Sequence, residues 1–277
     1  MKNMKHALLW VGIYAIGMAF LESAVVVYLR NMFYPDGFTF PIVQLNSQIA
    51  ITEVLREVAT VLMLVSVGVL VTKKASERFA YFIYAFAIWD IFYYIFLYFL
   101  MGWPQSLLDW DILFLIPVTW FGPVISPVLI AFMMIVLAVS IIYFNQKFDK
   151  VKISAIEWGL FTSGSVIVIL SWIWDTVLYV INHFSFSKLA DIKLGELIKS
   201  FSLDYVPEHF PWLIYFLGFS FIVAGLFSFF RQSSFPLTDF GPILSLLSKC
   251  IIIGHAMVPS IAIVSKVLSI LALINSL

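Results

Sequence analysis

Cysteine is almost missing from this chain, and histidine and charge are scarce. With Cys250 alone there is no internal disulfide and no cysteine-based zinc or iron–sulfur centre. The four histidines, His6, His183, His209 and His255, form no HExxH arrangement. Only His255 falls inside a long apolar run, which argues against haem held between two facing histidines. Ser154, Ser163, Ser165 and Ser171 have no paired histidine and aspartate around a strand-turn-helix elbow, so the main serine-nucleophile signature is absent. Charged residues make up 12% of the chain, about half their share in soluble domains. Sixteen basic residues cancel sixteen acidic ones, and the basic residues are spread over short loops, which excludes a nucleic-acid partner attracted by net field.

What is present is apolar surface. Hydrophobic residues reach 62%, including 28 Phe, 12 Tyr and 9 Trp, the composition of a polytopic membrane protein whose main partner is the lipid bilayer. Apolar runs predict an all-α transmembrane bundle, a single domain over residues 1–277 with about seven spans, at 7–29, 46–72, 79–101, 112–144, 156–182, 210–230 and 250–274. The fourth is over-long and interrupted by Pro117, Gly122, Pro123 and Pro127, so it is expected to be Pro-broken or re-entrant. The first follows Lys2 and Lys5 like a secretory signal. It is nevertheless long, contains Glu22 and lacks an A-x-A-like site, and so reads as an uncleaved span.

Loop charge sets the expected orientation. Lys2, Lys5, Lys73, Lys74, Arg78, Lys147, Lys150, Lys152, Arg231 and Lys249 fall on one side, against Arg30, Lys188, Lys193 and Lys199 on the other. The positive-inside rule then places the N-terminus in the cytoplasm of a cell-membrane protein. The loop at 183–209 is the longest on the outer side. Within it Leu189, Ile192, Leu197, Ile198 and Phe201 recur near helical spacing opposite Lys188, Asp191, Lys193, Glu196 and Lys199, which predicts a short amphipathic surface helix.

Against this background, Glu22, Glu53, Arg56, Glu57, Asp90 and Asp175 lie inside predicted spans. An ionised group at the bilayer centre costs roughly 2.5–3.5 kcal/mol, so intramembrane charges point to a functional interior. At a rise of ~1.5 Å per residue, Asp90 and Glu57 fall near the midplane, with Glu22, Glu53 and Asp175 on the order of 5–10 Å toward the outer face. The five carboxylates are therefore candidate cation or proton ligands in one slab. Glu53, Arg56 and Glu57 stand at i, i+3 and i+4 on one helical face, so Arg56 is either a structural ion-pair partner or a gate.

A short pattern, Trp-Asp-x-x-x-Tyr, occurs as Trp89, Asp90 and Tyr94 and again as Trp174, Asp175 and Tyr179. The i, i+4 spacing lets each phenol share a face with its carboxylate, so these aromatics are candidate cavity lining. Lys266, in the last run, is a second candidate charge partner. Asp109 and Asp111 lie among Gly102, Trp103, Pro104, Trp110, Trp120, Gly122 and Pro123, either as an acidic loop beside an aromatic belt or as a cation entrance under a re-entrant lid. This stretch resembles runs in uncharacterised bacterial polytopic integral membrane proteins. The resemblance covers the first half of the chain and implies no assigned activity.

The surplus of buried acid points first to a cation- or proton-coupled transporter or ion-binding membrane protein acting on a small ion or small molecule. The alternatives are an intramembrane metal-dependent hydrolase or lipid-modifying enzyme, a structural or assembly protein and, more remotely, a retinal-binding protein built on Lys266. No cofactor is required by the sequence.

Overall fold

A computed structural model describes residues 2–43, 45–116, 118–147, 152–183 and 205–232, all within one unit, Met1–Ser234. The protein is mostly helical. Helix α1 spans Lys2–Phe33, α2 Ser47–Val71 and α3 Ala75–Met101; strands β1 (Trp110–Phe114) and β2 (Trp120–Pro123) follow, then α4 (Ile125–Lys147), α5 (Ala155–Trp172), α6 (Trp174–His183) and α7 (Trp212–Gln232). Six of these helices, α1 to α5 and α7, are long and apolar enough to cross a membrane, as suits an integral membrane protein. The expected last span at 250–274, Lys266 within it, and the amphipathic segment from Ser187 to Phe201 lie outside the described residues.

Local chemistry fixes where these helices begin and end. Asn46 caps α2 by accepting the Ile49 N–H, and Ser154 and Glu157 form a reciprocal capping box at the start of α5. Helix α3 ends at Gly102, whose φ of +71° suits glycine and whose N–H returns to the Tyr98 carbonyl. The apolar run at 156–182 is not continuous: α5 stops at Trp172 and α6 starts at Trp174.

The run at 112–144 departs further from expectation, because its first part is a β-hairpin. Trp110 pairs with Pro123, Asp111 with Gly122 and Ile112 with Phe121, and the register shifts before Phe114 meets Trp120. Aromatic and branched residues favour strand pairing, which satisfies backbone groups that Gly122 and Pro123 would leave free in a helix. Pro127 breaks nothing. It is the third residue of α4, where its missing N–H has no intrahelical partner to lose.

Packing centres on α3, which lies against α1, α2 and α4, while α5 packs chiefly on α7. At that second interface a Cβ on Gly164 would come within 2.8 Å of the Gly218 carbonyl oxygen, and one on Gly218 within 2.7 Å of the Gly164 oxygen. Only hydrogen fits there. Helices α1 and α2 both rest on α3 but scarcely touch each other, so a gap remains between them at the end where the hairpin lies.

Candidate functional site

That gap is a cavity of about 160 Å³, large enough for several waters or a small organic molecule. Its polar wall comes from three helices at one depth. Glu22 lies eleven residues before the end of α1, Glu57 ten residues after the start of α2, and Asp90 eleven residues before the end of α3. At ~1.5 Å per residue all three sit roughly 15–17 Å in from the same end of the bundle. Helical periodicity then selects the lining: Glu22, Val26, Arg30 and Phe33 from α1; Glu53, Arg56 and Glu57 from α2; Trp89, Asp90, Tyr93 and Tyr94 from α3.

Arg56 bridges helices. Its guanidinium pairs with Glu53 at 2.8 Å on its own helix and with Glu22 across on α1. Glu57, one turn beyond Glu53 and buried, uses Oε2 to accept the Leu115 backbone N–H at 3.0 Å. The second helix is thereby tied both to α1 and to the segment that follows β1.

By hydropathy Arg30 falls in an outer loop, just beyond a span ending at 29. It instead lies within α1, which continues to Phe33, and it is only 5% exposed. Its Nη2 meets Asp111 Oδ1 at 2.8 Å, and its guanidinium lies over the Trp103 ring at 3.8 Å and the Phe38 ring at 4.4 Å. The signal was available: Arg30 is eight residues after Glu22, two helical turns along the same face.

Asp109 and Asp111 do not form an acidic mouth. Asp109 accepts the N–H groups of Gln105 and Ser106 and closes the turn before β1. Asp111 is 2% exposed and turned toward Arg30, while its neighbours Trp110 and Ile112 pack with Phe121, Tyr205 and Phe40, as strand alternation requires. Burial pushes the Asp111 carboxyl up to about 6, with the Arg30 guanidinium offsetting part of that rise.

The two Trp-Asp-x-x-x-Tyr units are placed differently. Trp89, Asp90 and Tyr94 line the cavity, whereas Asp175 on α6 accepts a 2.6 Å hydrogen bond from Tyr205 and is not in the lining. Trp174 is exposed at the start of α6. Tyr179 belongs to α6, and its side chain is outside the described set.

Five carboxylates, Glu22, Glu53, Glu57, Asp90 and Asp111, thus face two guanidiniums, Arg30 and Arg56, around one space. Among the described residues the Asp90 carboxylate has no hydrogen-bond or ion-pair partner; the charge that acts on it is Asp111, of like sign. Also among the described residues, no group of three or more His, Cys, Asp or Glu side chains is arranged to hold a metal ion. No protein-family model matches the chain, and neither a curated protein nor a solved structure does.

Proposed function

We propose that this is a cell-membrane protein whose carboxylate-lined cavity binds a cation or proton and couples it to solute movement, with Glu22, Glu53, Glu57 and Asp90 as the binding groups and Arg56 as the charge partner. One observation carries this reading: five acids share a low-dielectric space with two guanidiniums, and among the described residues Asp90 has no partner. Such a surplus is stable only when it is protonated, wetted or matched by a cation. The hairpin Trp110–Pro123 would act as an outer lid, because Asp111 and the Leu115 N–H anchor it to two of the lining helices through Arg30 and Glu57. Titrating a cavity carboxylate would loosen or tighten that lid.

The test is binding followed by flux. Protein purified in detergent is titrated with protons and with sodium, potassium, lithium, magnesium and calcium while its melting temperature is followed. It is then reconstituted into vesicles carrying an internal pH dye. At least one ion is expected to give a saturable thermal shift that Glu57→Gln or Asp90→Asn removes, together with ion-dependent proton movement. A flat response of the wild type across the panel overturns the reading.

A further inference from the structure

Asp90 and Trp89 are adjacent on α3 and both line the cavity, yet each has an unanswered polar group. Among the described residues the Asp90 carboxylate receives no donor, and the Trp89 indole N–H, on a side chain only 8% exposed, finds no acceptor. Buried polar groups are rarely left unpaired, because a group stripped of water and given no partner keeps its full desolvation cost. An unpaired acceptor and an unpaired donor on two residues of one cavity wall ask for a partner that supplies the opposite of each.

The rest of the lining narrows the chemistry. A bare divalent ion is held best by several carboxylates converging on one point, and among the described residues no three His, Cys, Asp or Glu side chains converge in that way. An ammonium nitrogen needs one carboxylate and benefits from aromatic faces, and Tyr93, Tyr94 and Phe114 share the wall with Asp90. Val26, Leu29, Ile42 and Leu113 give the same space an apolar side, suited to a carbon skeleton. The size, about 160 Å³, limits the occupant to a small molecule.

Resting on the proposed function above, we infer that the solute is a small organic ammonium compound carrying an oxygen acceptor, with the Asp90 carboxylate as counter-ion to its nitrogen and the Trp89 indole N–H as donor to its oxygen. The Arg56 trio and the Arg30–Asp111 pair then act as the fixed charged frame around it.

Full-length protein in detergent would be tested by calorimetry and thermal shift with ethanolamine and choline, with ethylamine and tetramethylammonium as oxygen-free counterparts, and with acetate and sodium chloride. The amino alcohols are expected to bind saturably and about tenfold more tightly than the oxygen-free amines, one hydrogen bond's worth. Asp90→Asn should weaken every amine by about a hundredfold. Trp89→Phe should erase the tenfold preference for the amino alcohols over the oxygen-free amines, which keeps the inference testable if the Asp90 variant does not fold. Protons or sodium shifting the melting temperature while no amine binds would overturn this inference and leave the carrier reading standing. Silence toward every probe would overturn both. Equal binding of both amine types with no effect of Trp89→Phe would remove the oxygen contact, and acetate binding in place of the amines would reverse the assigned charge.

Discussion

The Arg30 guanidinium and the Asp111 carboxylate meet at 2.8 Å across eighty-one residues of sequence, and both side chains are almost wholly removed from solvent. This pair fastens the hairpin to the first helix at the rim of the cavity. Its two members differ in what they can do when left alone. A buried carboxyl can take up a proton, whereas a guanidinium stays charged at any accessible pH.

Asp111→Leu should therefore destabilise more than Arg30→Met. Stranding Arg30 leaves an uncompensated buried charge, about 3–5 kcal/mol, while stranding Asp111 leaves a group that becomes neutral. The double variant should be more stable than Asp111→Leu alone. Melting temperatures in one detergent check the order, and the reverse order would mean that the cation over Phe38 and Trp103 is held by the rings and not by the acid.

The same pair sets a pH dependence. Burial raises the Asp111 carboxyl to about 6, above the roughly 3.9 of an aspartate in an unfolded chain. The folded state binds this proton first as pH falls. Its contribution to stability consequently rises between about pH 6 and pH 4 and is lost as pH climbs back through 6. Wild type should gain on Asp111→Asn when the two are compared at pH 7.5 and then at pH 5. A gap that stays constant or narrows would show that Arg30 controls the titration.

On the second helix, Arg56→Ala should be worse than Glu53→Gln by about 2 kcal/mol. The alanine leaves Glu22 and Glu53 facing each other without their shared cation, whereas the amide preserves the Glu22 contact and can still accept from Arg56. The figure sits below that for a fully buried pair because the Arg56 side chain is 21% exposed. Equal melting temperatures for the two variants would mean that water screens the trio.

Much of the cavity's polar wall could be read from depth alone. A uniform helical rise puts the carboxylates of the first three helices in one slab. It sets Glu22 on the order of 5–10 Å outward of Glu57 and Asp90, whereas all three lie about equally far from the helix ends because α1 runs on to Phe33. Glu53, Arg56 and Glu57 share a face because 3.6 residues make a turn. What escaped was set by tertiary pairing. Arg30 looked like a loop residue because span ends are judged from hydropathy, and a guanidinium neutralised by a partner eighty-one residues away reads as water-facing. The hairpin was hidden in an apolar run because its strands are short and their pairing is invisible to helical periodicity. Asp175 matched Asp90 in pattern and differed in surroundings, since Tyr205, far along the chain, claims it.

The α5–α7 contact gives a stability test remote from the cavity. Gly218→Ala places a methyl group about 2.7 Å from the Gly164 carbonyl oxygen, on backbone that cannot rotate away. The helices must move apart, at a cost of about 1–3 kcal/mol. Gly159, with open space around its Cβ position, is the control: Gly159→Ala should be neutral or stabilising, since alanine favours the helix. A similar loss at both sites would place the cost in expression or detergent behaviour and not in the helix contact.

The last prediction separates the two Trp-Asp units. Asp175 and the Tyr205 phenol form a 2.6 Å hydrogen bond, and the phenol is itself raised in pKa by burial and by the carboxylate it serves. Removing either partner breaks that one bond, so Asp175→Asn and Tyr205→Phe should be non-additive, with a coupling of about 1–2 kcal/mol for a charge-assisted pair. Among the described residues Asp90 shares no partner with them, and it lines a cavity that does not include Asp175. Asp90→Asn should then add to either variant within about 0.5 kcal/mol in melting experiments. Ion or solute binding should respond to Asp90→Asn and stay unchanged in Asp175→Asn. If Asp175→Asn abolished binding to the same extent, with strong coupling to Asp90, the two units would have to act on one ligand, and the cavity between α1, α2 and α3 would be only part of the site.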